Sequence, residues 1–411
     1  MSFVKEKVNT TPIEDTVFAI VKKAKAAKEK VGKENVVDAT IGSLYTEEGK
    51  IVALESVFTP YDKIQKEVKA AYAGSFVGNE SYREQVYNWV VKPSGSTLAH
   101  SVIATPGGTG AVALTLSEIL DENETVVLPE IAWGSYKLMA TMDNLQVETY
   151  SLFEEDHFNL TSLREVCTSV MEKQHKLLLV MNDPCHNPTG YSLTMKEWQE
   201  VVTLLNELSA LGEVVLLNDI AYIDYAYDLD HCHDYMKLFD QFNEHVFAVI
   251  AFSCSKSLTS YGLRCGAAIL LGKDKEIVRS VEIVFEKAAR ATWSNVANAA
   301  MDNFTYVTTT NKDAYMKEKG EYVTLLKQRS EIFTTEAKAC GLACYPYKEG
   351  FFVTVQMEDN KTRDIFHEKL MENNIFTVKV NKGIRVAVCS LSVDGCKGLA
   401  SRMQAILKTC K

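Results

Sequence analysis

The 411-residue chain has 46% hydrophobic and 24% charged residues, the balance of a globular protein long enough for two packed domains. Its formal net charge of −10 excludes nucleic acid and anionic membrane surfaces as main partners, so any anion site is built locally from arginines and backbone amides. Residues 1–11 lack the apolar core of a signal peptide or membrane span, and ten cysteines without a Cys-x-x-Cys pair fit a reduced, cytoplasmic protein.

In chain order, the first forty residues have no strand-rich core. Apolar runs rich in Val, Ile and Leu then recur at 101–105, 125–129, 176–181, 214–218, 246–253 and 267–271, as in strands buried on both faces. Helix-like segments separate them. In 195–211, Trp198, Val201, Val202, Leu205 and Leu208 share one face, and Gly212 is placed to cap the C-terminus. This alternation predicts an α/β fold, a large domain over 45–305 with a mostly parallel sheet flanked by helices. His231-Cys232-His233-Asp234 reads as a surface loop rather than a metal site, because adjacent residues seldom converge on one ion. Beyond residue 300 come a long charged helix (313–339) ended by Gly341, a strand at 351–356, a helix at 363–372, strands at 375–380 and 384–388, and a final helix. These form a smaller α+β domain over 306–411, with residues 1–44 packed beside it.

Ligands of open parallel sheets sit at the carboxyl ends of the strands. The first run opens into Pro106-Gly107-Gly108-Thr109-Gly110-Ala111, either a tight turn or a phosphate cradle at a helix N-terminus. Gly108, Gly110 and Ala113, with Glu130 further on, also fit a dinucleotide fingerprint, which keeps an NAD-dependent oxidoreductase as the rival. The other strand ends deliver Trp133, then Asn187 within His186-Asn187-Pro188-Thr189-Gly190. They next deliver Asp219 with Tyr222, and Ser253-Cys254-Ser255-Lys256 followed by Tyr261, Gly262 and Arg264. Hydride transfer has no use for that lysine, aspartate and arginine together. Pyridoxal 5'-phosphate (PLP) uses all of them: an amine for its aldehyde, a cation and amides for its phosphate, a carboxylate for its ring nitrogen, donors for its phenol oxygen and an aromatic slab for its face.

On these motifs the chain resembles the fold-type I PLP-dependent aminotransferases, most closely the aspartate and aromatic aminotransferase group, from about residue 40 to 385. The resemblance implies Lys256 as the Schiff-base lysine that also shuttles the proton. It implies Asp219 as the partner of the ring nitrogen, Trp133 as the stacking aromatic, and Asn187 with Tyr222 at the phenol oxygen. Gly108, Thr109, Ser253 and Arg264 match the phosphate cradle, with Ser255 beside the lysine. Arg385 is similar to the arginine that clamps the substrate α-carboxylate, and Gly42 to the glycine lining the substrate mouth. Arg290 resembles the arginine that reaches into the neighbouring subunit's site for a side-chain carboxylate, which implies a homodimer with shared sites. Two departures stand out. Val296-Ala297 replaces a proline pair, and spacing places Ala73, with Tyr72 one residue off, where the group sends a tyrosine across the dimer. The expected reaction is ping-pong transamination between an L-amino acid, aspartate first and aromatic amino acids second, and 2-oxoglutarate. Other lyase or synthase chemistry of the same fold is the nearest alternative.

Overall fold

The computed structural model describes residues 3–4, 11–12 and 16–410, so most of the N-terminal stretch read above lies outside the described residues. Seven strands form the central sheet: β1 (Ala99–Thr105), β2 (Thr125–Pro129), β3 (Gln146–Tyr150), β4 (Lys176–Asn182), β5 (Glu213–Asp219), β6 (Val246–Ser253) and β7 (Gly266–Gly272). Their order is β1-β7-β6-β5-β4-β2-β3, with only β7 antiparallel to its neighbours. The continuous apolar runs have a plain cause. In β6, Val246, Ala248, Ile250 and Phe252 point into one core, while Phe247, Val249 and Ala251 point into the other. Alternation by two thus buries every residue of the strand, each large side chain contributing roughly 1.5–3 kcal/mol.

Helices cover both faces. The one at Met195–Leu208 begins with a capping box between Thr194 and Glu197 and buries Trp198, Val201, Val202 and Leu205. It stops at Leu208 with Ser209 as its cap, so Gly212 is not the C-cap. A Cβ at Gly212 would fall 1.8 Å from the carbonyl oxygen of His175, so the glycine serves a close backbone approach. The His231 segment also departs from a simple surface loop. His231 is exposed against Asp228, but His233 is 6% exposed and packs inward. Among the described residues no cluster of three potential ligands could hold a metal, and no helix is long and apolar enough to cross a membrane.

The helix α1 (Gly107–Ile119) follows β1, the single-turn α2 (Cys254–Ser257) follows β6, and the 29-residue α3 (Lys312–Cys340) ends at Gly341 in the left-handed conformation, as its sequence predicts. A second, antiparallel sheet has the order β8 (Phe352–Gln356), β10 (Gly383–Ala387), β9 (Val378–Val380). The strand expected at 375–380 is split. Ile375 and Phe376 pair in parallel with Val37 and Asp38 instead, and the Thr377 carbonyl faces the His367 ring. That pairing, with Ile20 and Ala24 packed on Phe376, lays the N-terminal segment beside the second sheet.

Candidate active site

Six parallel strands end at one edge of the sheet, and β7 begins there, its Gly266 opposite both Thr105 and Ser253. The edge therefore collects the residues after β1, β2, β4, β5 and β6, together with Arg264 just before β7. Gly107 turns the chain into α1 with φ 75°, and a Cβ there would lie 2.5 Å from Arg264 Nη2. At Gly108 a Cβ would press on the Ser253 side chain at 3.0 Å. No side chain caps the start of α1, so its first amides, beside exposed Thr109, are free to meet an anion. Arg264 Nη1 donates to Ser255 Oγ and to the Tyr261 carbonyl, both at 2.9 Å, and Nη2 donates to the Pro106 carbonyl at 3.4 Å. Ser255 is thus buried as the support of the arginine.

Lys256 projects from the one-turn α2 and donates from Nζ to the Gly42 carbonyl at 2.7 Å. Burial first, then the guanidinium groups of Arg385 and Arg264, push its pKa down to about 8, against the opposing pull of Cys389 and Asp219. Asp219, at the end of β5, accepts from the Tyr136 hydroxyl at 2.5 Å and from the Ala221 amide at 3.0 Å. Burial raises its pKa, and those two donors and Lys256 hold the rise back. Tyr136 escapes sequence reading because an aromatic residue in an apolar helix looks like core. Its only signal is its position three residues after Trp133, whose ring meets it edge-on at 5.4 Å.

Tyr222 is buried between Phe351 and Phe352, and its ring centroid lies 5.4 Å from Lys256 Nζ. A Cβ on Gly42 would come within 2.8 Å of the Phe352 ring and 3.7 Å of the Tyr222 hydroxyl, so the glycine keeps this mouth open. Arg385, on β10, donates to Asn187 Oδ1 at 3.1 Å and to the Thr40 carbonyl at 2.8 Å, and its guanidinium lies 4.3 Å from the Phe352 ring centroid. Its Nε is buried without a protein partner, an arrangement suited to an incoming carboxylate. Neighbouring His186 is held neutral, its pKa pushed down to about 3 by burial, and its Nδ1 meets Thr189 Oγ1 at 2.8 Å.

Two candidates stand apart from this cluster. Arg290 is exposed at the end of the helix Lys275–Thr292, bonded to Ser294 Oγ and 4.6 Å from the Phe76 ring centroid. Tyr72 is 86% exposed. Glu130, the acid of the dinucleotide reading, accepts a hydrogen bond from Ser151 at 2.7 Å.

The family described as aminotransferase class I and II matches residues 34–403. The chain belongs to that family. A solved aminotransferase from Anaerococcus prevotii is 33% identical with a TM-score of 0.95, over 98% of this chain and 99% of that one. The aspartate aminotransferase of Salmonella typhi is 29% identical over 194 residues, 46% of this chain and 47% of that protein. The aromatic-amino-acid aminotransferase of Paracoccus denitrificans is 26% identical over 213 residues, 51% and 52% of the two chains. The match thus spans about half the length of each of these two relatives. An aromatic-amino-acid aminotransferase from Burkholderia pseudomallei, solved covalently bound to pyridoxal phosphate, shares the fold at TM-score 0.79 and 20% identity, with coverage of 99% of this chain and 100% of that one. A PLP-dependent family accounts for the Lys256 amine, the Asp219 carboxylate and Arg264 that the sheet edge of this family member brings together.

Proposed function

We propose that the chain is a PLP-dependent aminotransferase exchanging an amino group between an L-amino acid and 2-oxoglutarate in two half-reactions. The observation that carries this reading is Lys256 at the strand end, its Nζ 2.7 Å from the Gly42 carbonyl and 5.4 Å from the Tyr222 ring centroid, near enough to Asp219, Arg264 and Arg385 to feel the charge of each. The donor set fits the cofactor. A free helix start with Arg264, Ser253, Gly108 and Thr109 would hold its phosphate, and Asp219, oriented by Tyr136, its ring nitrogen. Asn187 and Tyr222 would meet its phenol oxygen and Trp133 its ring face. When bound, the cofactor supplies an electron-accepting ring.

The protein's own residues do the rest. Lys256 Nζ would hold the cofactor and, as a free amine, would accept the proton from the substrate Cα and hand it on as an ammonium. Arg385 clamps the substrate α-carboxylate while Gly42 leaves room at the mouth. Aspartate is the first expected donor and aromatic amino acids the second, because relatives of both names match. We further propose a large domain over 45–305, a small domain formed by 1–44 and 306–411, a cytoplasmic location, and a homodimer in which Arg290 serves the partner's pocket. Phe76, whose ring centroid lies 4.6 Å from the Arg290 guanidinium, is an exposed apolar side chain beside that arginine and supports a contact there.

Absorbance tests the reading. The purified protein is expected to show a visible band that moves to the near-ultraviolet on adding glutamate. No visible band even after added PLP ends it. Mixing Lys256→Ala with Arg290→Ala tests the sharing of sites: hybrid dimers regain one site with both native residues. No recovered activity on dicarboxylates despite proven subunit exchange counts against it.

A further inference from the structure

Lys256 is half-buried, whereas Lys319 is buried outright, and no step above uses it. Lys319, on α3, is 1% exposed, and its Nζ donates to the carbonyl oxygen of Ser257, the residue after Lys256. Tyr315, one turn earlier on the same helix, donates its hydroxyl to that same oxygen at 2.7 Å. Ser257 closes α2, a single turn whose last carbonyls have no partner within it. The Leu258 and Thr259 amides bond back to the Cys254 and Lys256 carbonyls at 2.9 and 3.1 Å, and the Ser257 carbonyl is taken from α3. The end of the Lys256 turn is therefore fixed by a helix from elsewhere in the chain.

The same ammonium faces the Tyr222 segment. It lies 4.1 Å from the Tyr225 ring centroid, and buried Asp224 is its strongest favourable charge. Both belong to the 3-10 turn Ile223–Tyr225 that Tyr222 opens. Asp224 is itself anchored by the Trp89 indole at 3.1 Å. A lysine is a costly filler for such a place, since an apolar side chain of similar length would avoid the desolvation of a charge. Burial pushes the Lys319 pKa down to about 8.

We propose that Lys319 is a positioning residue: it grips the Ser257 carbonyl and the Tyr225 ring at once and so fixes the turn carrying Lys256 against the turn carrying Tyr222. The kinetic consequence rests on the aminotransferase reading, whereas the mechanical link concerns the polypeptide alone. It acts through contacts rather than through its field at the reacting amine.

Lys319→Met, which keeps the chain length and removes charge and donor, tests the link. In the cofactor-free protein, amide hydrogen exchange is expected to quicken by about tenfold or more across 222–226 and 254–260 and to stay unchanged elsewhere. In the loaded protein, kcat should fall on the order of tenfold to a hundredfold with KM within about twofold. The pH midpoint of the visible band should rise as Tyr222 loses its alignment. Tyr315→Phe removes the other donor to the same oxygen without changing any charge, and should give the same pattern at smaller amplitude. If Lys319→Met does not fold, Tyr315→Phe decides alone. Wild-type exchange in both turns overturns the proposal, as does a lower melting temperature with wild-type kcat and band midpoint. Faster exchange in a protein that never develops a visible band supports the link and removes the cofactor reading instead.

Discussion

The strand-edge half of the site and the half around Arg385 are built by different means. At the edge, many supports are local: Arg264 is held by Tyr261 and Ser255, three and nine residues away, and Asp219 by the amide two residues on. The other half is assembled across the chain. Arg385 meets Thr40 at a separation of 345 residues and Asn187 at 198, and Gly42 reaches Lys256 of the edge across 214. Groups set by rigid strand ends are organised before any ligand arrives. Groups set by packing of the second sheet depend on how that sheet sits. The edge should therefore govern cofactor capture, and the far half substrate capture.

The hardest test of that division is Lys256→Ala. It should cost on the order of a thousandfold or more in turnover and abolish the visible band while the fold persists, as read by circular dichroism. In the wild type, capture of PLP by cofactor-free protein should quicken with pH and level off above about 8, because the neutral amine is the reactive form. A plateau near the ordinary lysine value of 10.5 would contradict the burial argument. Next in size is Arg385→Ala. Deleting one partner of a buried arginine–carboxylate pair costs about 2–5 kcal/mol, or roughly thirty- to several-thousand-fold in kcat/KM. The visible band should still form and cofactor affinity should change little, while the pH midpoint of the band rises because the Arg385 charge no longer disfavours the protonated form. Loss of the cofactor in this variant would erase the distinction between the halves.

Arg290→Ala sharpens the comparison, because Arg290 joins neither half within one chain. It should lower kcat/KM for aspartate and glutamate by roughly thirtyfold or more, and for phenylalanine and tyrosine much less. Half-reactions with each amino acid measure this directly. An equal loss for every donor makes the residue structural and leaves the cofactor assignment standing.

The same contrast decides what could be read from the sequence. The strands were legible because residues buried on both faces leave unbroken apolar runs, against which Asp219 and Lys256 stand out as strand-end polar groups. Six expected strands of the central sheet are found within about two residues of their expected ends. The edge strand Gln146–Tyr150, with two of its five residues half-buried or better, leaves no such run and was not foreseen. Nor were the break at Thr377, the close approach at Gly212, the Tyr136–Asp219 bond or the Lys319 grip. Each depends on which distant backbone or side chain comes to lie alongside, and periodicity within a segment carries no record of that.

Tyr136→Phe tests the one edge contact that the sequence hid, and it should have the smallest effect of the series. Its hydroxyl is a donor to a buried carboxylate, and such charge-assisted bonds contribute about 1.5–3 kcal/mol. A cofactor ring nitrogen held by Asp219 would offset part of the loss, so about a tenfold drop in kcat and a comparable weakening of cofactor binding are expected. The pH dependence gives an independent sign. Burial already raises the Asp219 pKa in the folded protein, so the folded chain holds that proton where the unfolded chain has lost it. Cofactor-free protein therefore loses stability as pH rises from the ordinary carboxylate range through the raised value. Without the Tyr136 donor that value climbs further, and the decline should extend to higher pH and grow larger. Thermal melts of both cofactor-free proteins across pH 4 to 8 measure it, and parallel curves would mean that the Tyr136 hydroxyl does not set the charge state of Asp219.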